Sequence, residues 1–443
     1  MMAEVFHYKK AIIPIMITGL LIGFCANIME WNTFRSYYSN MFLSDNFAVA
    51  FIGLVIFVTL LWVLVSGSYF NSETSKAEHA SLILFALCGA IVMIGYADLS
   101  MFFIGLEILS ISLYVLAGSD KKIIRSNEAG LKYFLMGAFA TGFLLFGIAL
   151  IYGATGSFNL AVIAQHLQSL NTVPGFVYAG ILFMLVGLTF KIAAVPFHFW
   201  APDVYEGSPT LITAFMSTVV KTAAFAAFYR LFSTCFVSIS DWWVTLLAII
   251  SALSMLTGNI LAVYQQSFKR MLAYSSISHA GYMLMAIVAI NQISAGAIFM
   301  YAAAYSFASI GAFACLNALS MNGNENVSAL AGLGKQKPLI AVLLSILILS
   351  MAGIPPVAGF FAKYYIFYGA LQSGYIWLVI VAIISSLIGV YYYFRVIYTM
   401  FAVTPSTENK TYFNQMNPTV ILICAVLVII LGVAPSLLIG LLR

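Results

Sequence analysis

The sequence predicts an all-α polytopic membrane protein of about thirteen transmembrane helices, with two inverted five-helix repeats that each contain a discontinuous helix. Composition is the first indication: 63% of the 443 residues are hydrophobic and 7% are charged, whereas a soluble domain carries about 25% charged residues. The second is a series of apolar stretches of about 20 residues, long enough to cross the hydrocarbon core of a bilayer. The third is a pair of stretches in which prolines interrupt the helix close to a lysine.

The apolar stretches divide the chain into four parts. The predicted spans run near residues 10–29, 47–67, 79–97, 99–118, 127–153, 175–195, 207–234, 242–264, 270–290, 293–319, 338–372, 374–402 and 417–441. The predicted parts are N-terminal helices over 1–78, a first five-helix unit over 79–234, a second over 242–402 and a C-terminal helix over 403–443.

Charge and cysteine usage argue against several other classes of protein. The net charge is +5, but the basic residues stand one to three at a time between the spans, which does not indicate nucleic-acid binding. The five cysteines are isolated in apolar stretches without CxxC spacing, so we interpret them as packing residues. The first apolar stretch is too long, and lacks the small-residue cleavage site, for a cleavable signal peptide.

Basic residues predict the orientation in the membrane. With a cytoplasmic N-terminus, the inside basic residues are Lys9, Lys10, Lys76, Lys121, Lys122, Arg125, Lys269, Arg270, Lys335, Lys337 and Lys410. The outside ones are Arg35, Arg230 and Arg443. The positive-inside rule therefore predicts a cytoplasmic N-terminus and, after an odd number of spans, a C-terminus on the outside.

Four charged residues lie deep within the predicted spans: Glu107, Lys191, Lys221 and Lys363. An ionised side chain at the centre of a span costs at least about 2.5–3.5 kcal/mol on insertion scales. One central carboxylate cannot pair with three deep lysines, so some lysines must be hydrated or spend time neutral. A side chain that changes protonation state in this way can carry a proton.

Two of the spans are predicted to be broken beside a lysine. Pro196 removes a backbone donor and clashes with the carbonyl near Ile192, so the helix should end just after Lys191. The stretch SMAGIPPVAGFFAKYY (350–365) repeats the arrangement, with a glycine and two prolines before Lys363. Two interrupted helices in corresponding positions are the best sequence indication of an ion path in a transporter.

The positions of the broken spans predict an internal repeat. The sixth span is fourth in the set three to seven, and the eleventh is fourth in the set eight to twelve. Because five is an odd number of spans, the second unit must enter the membrane the opposite way up from the first.

Five sequence blocks carry a resemblance to a known family. They are GLEILSISLYVLAG, GLKYFLMGAFATGFLLFGIALIYG, FKIAAVPFHFWAPDVYEGSP, KRMLAYSSISHAGY and AGIPPVAGFFAKYY. Together, and from about residue 10 to the C-terminus, the chain resembles subunit N of bacterial complex I, the NADH:quinone oxidoreductase. The resemblance implies an antiporter-like, proton-translocating subunit of the membrane arm in the bacterial inner membrane, with other membrane-arm and peripheral-arm subunits as partners. It also implies that NADH, FMN, iron–sulfur clusters and quinone are bound by those other subunits, and that this chain carries no cofactor.

The resemblance also implies roles for individual residues. Glu107 and Lys191 correspond to the coupling ion pair, and Lys221 to the central lysine of the following span. Lys363 corresponds to the lysine nearest the exit side and Lys132 to a lysine on the uptake side. The histidines that would extend the hydrated relay between the lysines are His198 and His279.

Structural alternatives exist for several of these residues. Glu107 and Lys191 could be a static pair that fastens two helices, although a buried pair is a poor source of stability. Lys132 could be satisfied locally by Glu128, four residues earlier on the same helix. His198 could hydrogen-bond the backbone of the linker.

Three further charged residues have structural interpretations. Asp203 and Glu206 are expected to be solvated or to fasten a loop, and Arg395 is expected to extend to the inner interface.

The chain departs from the family at its start. Fourteen spans are usual in the family, and MMAEVFHYKK resembles the inner end of a first helix that is missing here, so that either the start codon is assigned too late or the lineage dispenses with that helix. The main alternative function is a subunit of a multi-subunit cation/proton antiporter without redox activity, followed by a stand-alone secondary transporter and a purely structural subunit. The block PFHFWAPDVYEGSP and lysine at 363 favour subunit N over its sister antiporter-like subunits.

Overall fold

Helices form nearly all of the described structure, as the composition predicts. The computed structural model describes residues 9–67, 76–170, 172–320, 324–403 and 418–442. The N-terminal part contains α1 (Ile12–Met29) and α2 (Asn46–Val65). Between them, β1 (Arg35–Tyr37) and β2 (Phe42–Ser44) form a short antiparallel hairpin. The stretch on which the missing first helix was predicted lies mostly outside the described residues, as do Lys410 and Arg443.

The two predicted five-helix units contain most of the remaining helices. The first has α3 (Lys76–Gly95), α4 (Leu99–Ala117), α5 (Ile124–Thr155), α6 (Leu160–Ser169), α7 (Gly175–Lys191), α8 (Trp200–Gly207), α9 (Thr210–Phe215) and α10 (Lys221–Thr234). The second has α11 (Ser240–Val263), α12 (Phe268–Val288), α13 (Ser294–Ser320), α14 (Leu333–Gln336), α15 (Pro338–Ala352), α16 (Ala358–Gln372) and α17 (Ile376–Ala402). The C-terminal helices are α18 (Pro418–Val433) and α19 (Ser436–Ile439). Short 3₁₀ turns lie at Lys9–Ala11, Val237–Ile239, Val327–Leu330 and Gly440–Leu442.

Polar side chains define where several of these apolar helices begin. Asp45 accepts a hydrogen bond from the Ala48 backbone at the start of α2 (2.7 Å), and Asp98 does the same for Ser100 at the start of α4 (2.9 Å). Ser267 caps α12 in this way. Each cap satisfies a backbone N–H that the first turn of a helix leaves without a partner.

Ten helices in the described residues are long and apolar enough to cross a membrane, or eleven if the bent pair Pro418–Val433 and Ser436–Leu442 counts as one span. The other two predicted spans correspond to the shorter apolar helices α7 and α15, each followed by its second half. The all-α membrane fold with two discontinuous helices is therefore confirmed, whereas the count of thirteen spans is not.

Corresponding helices of the two units pack in the same way. The first helix of each unit packs on the second (α3 on α4, α11 on α12), and the third packs on the first half of the broken helix (α5 on α7, α13 on α15). The helices at the centre, α9 with α10, α12 and α13, are almost completely buried, whereas α1 lies at the periphery. Lys221 and His279 thus lie on the most deeply buried of the candidate spans in the described residues.

The first broken helix ends where its proline predicts. Helix α7 ends at Lys191, and the chain turns through Ala193, which has a positive φ of 58°. The backbone N–H of Val195 donates to the Ser254 hydroxyl of α11 at 2.9 Å. Protein groups therefore satisfy backbone that the break exposes, which is the condition for irregular backbone at membrane depth.

The second broken helix turns at a glycine. Gly353 ends α15 with a φ of +83°, a left-handed conformation that favours glycine. Gly359, in the first turn of α16, then approaches the last turn of α15, where its N–H donates to the Ser350 hydroxyl at 3.1 Å. The two halves thus contact each other directly across the break.

A methyl group at Gly359 is expected to disrupt this contact. A Cβ atom there would lie 1.7 Å from the Ser350 carbonyl oxygen, so the two half-helices would have to separate. Such overpacking costs about 1–3 kcal/mol or more. Gly359→Ala should therefore lower the melting temperature and the yield of folded protein in detergent. Gly19→Ala, in α1 with no atom within 4 Å of the added Cβ, is the control, and an equal melting temperature for both variants would contradict the expectation.

Candidate functional site

The three deep lysines are buried and bind neutral groups. Lys191, Lys221 and Lys363 are 5%, 2% and 7% exposed, respectively. Within the described part of the chain, none of the three forms an ion pair; each ammonium donates to hydroxyl or carbonyl oxygens instead. A neutral oxygen accepts a hydrogen bond from the protonated amine but does not stabilise its charge as a directly bonded carboxylate would.

Lys191 lies close to the central glutamate without touching it. Its Nζ donates to the Ser110 hydroxyl at 2.7 Å and lies 5.9 Å from the centre of the Tyr133 ring. Ser110 is on α4, three residues after Glu107, whose charge acts on Lys191. The Oε1 atom of Glu107 is buried and has no hydrogen-bond partner. The implied direct ion pair is therefore not formed here, because the ammonium is turned to the serine on the next turn of α4.

Lys221 is the first residue of α10, directly after a π-helical turn over Met216–Val220. Its Nζ donates to both the backbone carbonyl and the hydroxyl of Ser276 on α12. Single π turns of this kind are frequent at functional sites. Ser276 and His279 are three residues apart and therefore lie on the same face of α12. Lys221 thus contacts the face of α12 that carries His279.

His279 is held by two tyrosines and faces Lys363 across a small cavity. Its Nδ1 is 2.6 Å from the Tyr301 hydroxyl, and its Nε2 is 3.1 Å from the Tyr393 hydroxyl. The cavity that His279 and Lys363 both line has a volume of about 10 Å³, which is the size of about one water molecule. The structure thus brings His279 and Lys363 together at one cavity.

Lys363 lies against the turn of the second broken helix. Its Nζ donates to the Ala352 carbonyl at 2.7 Å and to the Ser386 hydroxyl at 2.8 Å. The ammonium also lies 5.1 Å from the centre of the Tyr282 ring, within the range of a cation–π interaction. A Cβ atom at Gly353 would lie 3.0 Å from Nζ, so the glycine makes room for this lysine.

His198 and Lys132 are not joined to the central lysines by direct hydrogen bonds. His198 lies in the linker between α7 and α8, is 7% exposed and has a buried Nδ1 without a hydrogen-bond partner. Lys132 is half-exposed and pairs with Glu128 at 2.7 Å and with Asp203 at 3.1 Å. The predicted local pair of Lys132 with Glu128 is thus confirmed.

The acidic residues of α8 fasten that helix to its neighbours. Arg270 of α12 pairs with Asp203 at 3.1 Å and with Glu206 at 2.5 Å. These residues and Lys132 line a cavity of about 260 Å³ at the protein surface. Asp203 and Glu206 were expected to be solvated or to fasten a loop; they do form fastening ion pairs, but they lie on a helix, the second half of the first broken helix.

Arg395 binds backbone at the end of α11. Its guanidinium donates to the carbonyls of Val263 at 2.9 Å and Gln265 at 2.5 Å. It thereby satisfies carbonyls that the end of a helix leaves free. The sequence predicted only that Arg395 extends to the inner interface, not this contact with backbone.

The sequence did not identify the hydroxyl groups that bind the three lysines and His279. They belong to Ser110, Ser276, Ser386, Tyr301 and Tyr393. Serine and tyrosine occur throughout the spans, and nothing in their local sequence distinguishes the ones that face a lysine or a histidine.

The sequence is similar to a known family of membrane subunits. The family model "NADH:quinone oxidoreductase/Mrp antiporter, TM" matches residues 97–389. The NADH-quinone oxidoreductase subunit N of Flavobacterium psychrophilum is 45% identical over 445 residues, covering 100% of this chain and 97% of the relative. The subunit N of Cytophaga hutchinsonii is 43% identical and covers 99% of this chain and 95% of the relative.

Solved structures give the same fold. A chain of respiratory complex I from Thermus thermophilus superposes with a TM-score of 0.82 at 32% identity, covering 98% of this chain and 94% of that chain. A chain of the Mrp complex from Dietzia sp. DQ12-45-1b superposes with a TM-score of 0.87 at 21% identity, covering 99% and 92%. At 21% identity the second likeness concerns the fold alone.

Proposed function

Because the chain belongs to the family of NADH-quinone oxidoreductase subunit N, the antiporter-like membrane subunit of complex I, we propose that its buried charged residues form the proton path of that subunit. The proposed path begins near Lys132 and Glu107, continues through Lys191 and Lys221, and leaves past Lys363. His198 and His279 are proposed to extend it between the lysines. Quinone reduction elsewhere in the complex supplies the free energy for this transfer.

The proposal rests on the groups that surround the three buried lysines, which are neutral oxygens. Lys191, Lys221 and Lys363 bind serine hydroxyls and backbone carbonyls, which accept a hydrogen bond from a protonated amine and do not compete for its proton. A proton moves between groups that are within hydrogen-bond reach or joined by one water. His279 and Lys363 line one small cavity, and Lys221 contacts Ser276 one turn from His279. These contacts support transfer from Lys221 through His279 to Lys363.

The charge of Glu107 is proposed to regulate the first transfer. While Glu107 is ionised and close to Lys191, its charge favours the protonated lysine. A change in the position or charge of Glu107 would release that proton toward Lys221. The direct ion pair implied by the family resemblance is proposed for another state of the turnover cycle.

The chain is a multi-span membrane protein of a respiratory complex, and its partners are other complex I subunits. We further propose that it lies in the bacterial inner membrane with a cytoplasmic N-terminus and an outside C-terminus, in contact with the lipid bilayer and without nucleic acid. Peripheral-arm subunits are proposed to bind NADH, FMN, the iron–sulfur clusters and quinone. The two five-helix units are proposed as 79–234 and 242–402.

Affinity purification of the chain from its native membrane tests the proposal. We expect flavin- and iron–sulfur-containing subunits to co-purify, and the complex reconstituted in liposomes to acidify their lumen when NADH and a quinone are added. A chain that purifies only with antiporter subunits, or a complex that reduces quinone without moving protons, would refute the proposal.

A further inference from the structure

Asn259 is a buried amide that the proton path does not use. It lies on α11 and is 2% exposed, so its two donor hydrogens and its acceptor oxygen must be satisfied inside the protein. Its Nδ2 donates to the Ser385 hydroxyl at 2.7 Å and to the Tyr282 hydroxyl at 3.1 Å. Its Oδ1 accepts from the Tyr392 hydroxyl at 2.9 Å. A single side chain therefore joins α11 to α12 and to α17.

Both helices that Asn259 joins also hold Lys363. Tyr282 of α12 presents its ring to the ammonium at 5.1 Å. Ser385 of α17 immediately precedes Ser386, whose hydroxyl accepts from Nζ at 2.8 Å. Asn259 thus binds one group on each of two surfaces that contact Lys363, although it does not touch the lysine itself; the third surface is the Ala352 carbonyl of α15.

The packing around Asn259 is specific for an amide. A Cβ atom at Gly389 would lie 3.1 Å from Oδ1, so a larger residue at 389 would crowd the amide. Ser385 donates its own proton to the Met255 carbonyl at 2.7 Å and needs a donor such as Nδ2 on its other side. Leucine has the same branched skeleton of four side-chain heavy atoms as asparagine and offers neither donors nor an acceptor, so it would leave Ser385, Tyr282 and Tyr392 each short of a partner.

We propose that Asn259 is a positioning residue for the exit-side proton carrier: it fixes the Tyr282 ring and the Ser385–Ser386 segment of α17, and through them the place of the Lys363 ammonium beside the cavity that His279 lines. The inference rests on the proposed role of Lys363 in proton transfer. Proton transfer depends steeply on donor–acceptor geometry, so loosening either surface slows turnover without abolishing assembly.

The test compares Asn259→Leu and Tyr282→Phe in purified complex reconstituted in liposomes. Tyr282→Phe keeps the ring but removes the hydroxyl that Asn259 binds, and it is the variant that remains informative if Asn259→Leu fails to assemble. We expect each to lower maximal turnover per assembled complex by about fivefold, the effect of about one hydrogen bond. The KM values for NADH and quinone should not change, because both substrates are proposed to bind on other subunits. Asn27→Leu, which removes the interhelical bond from an α1 amide to the Val49 carbonyl at 2.8 Å, is the matched control with wild-type turnover.

Two double variants separate positioning from a merely structural role. If Asn259 acts through the tyrosine and the lysine, the variant that combines Asn259→Leu with Tyr282→Phe should be slower than the wild type by less than the product of the two single effects. In a Lys363→Ala background, Asn259→Leu should cause no further loss. Wild-type turnover of both single variants, or a full further loss in the Lys363→Ala background, would overturn the positioning role. Wild-type turnover of Lys363→Ala itself would instead overturn the proposed proton path.

Discussion

Lys363→Ala is expected to slow NADH-driven quinone reduction and proton pumping by about tenfold or more in a correctly assembled complex, since a positioned proton-transfer group contributes about 10²–10⁴-fold. Alanine removes the only charged group that lines the small cavity together with His279 among the described residues. The remaining neighbours, the Ala352 carbonyl and the Ser386 hydroxyl, cannot hold a proton at neutral pH. In the proposed path, the proton would therefore have no carrier between His279 and the outside.

An arginine at 363 separates the need for charge from the need to release a proton. Guanidinium stays protonated, so Lys363→Arg should remain several-fold slower than the wild type. The close approach of the lysine side chain to Gly353 also leaves little room for the larger group. The control is Lys335→Ala, which removes an exposed lysine from α14 and should leave both rates unchanged. Full proton pumping by Lys363→Arg would mean that proton transfer requires only a positive charge at position 363.

Glu107→Gln is expected to slow quinone reduction and proton pumping together by about tenfold, equal to about 1.4 kcal/mol of activation free energy. Glutamine has the same shape, and the bond from Lys191 to Ser110 does not involve residue 107, so assembly should be normal. The change removes the carboxylate whose charge acts on Lys191. Both rates should fall in the same proportion, because the proton transfer and the redox reaction are coupled.

The control for this variant is Glu78→Gln. It makes the same chemical change at an exposed carboxylate in the first turn of α3 and should have wild-type rates. Rates are measured in proteoliposomes and normalised to the amount of assembled complex. If Glu107→Gln pumps and reduces quinone at wild-type rates, Glu107 is not a coupling element.

Short-range features of the chain were predictable. Pro196 placed the end of α7 at Lys191, and the glycine and prolines before Lys363 predicted the second break, because proline and glycine act on backbone within a few residues. The pair of Lys132 with Glu128 also follows from their spacing along one helix. The hydroxyl partners of the deep lysines were not predictable, since Ser110 and Ser276 are 81 and 55 residues away from the lysines they bind.

The sequence by itself determined that the protein lies in a lipid bilayer, that it is helical, and which charged side chains lie within the predicted spans. Composition and the length of each apolar stretch decide these properties, because every helix must satisfy its own backbone in a bilayer. Only the tertiary structure decided that Lys191 contacts Ser110 in place of Glu107, that His279 and Lys363 share a cavity, and that Asn259 joins α12 to α17. Those contacts depend on how helices distant in the chain are rotated and packed, and each helix is apolar on nearly all sides. The hydrophobic pattern along a single helix therefore does not specify which of its polar side chains will meet.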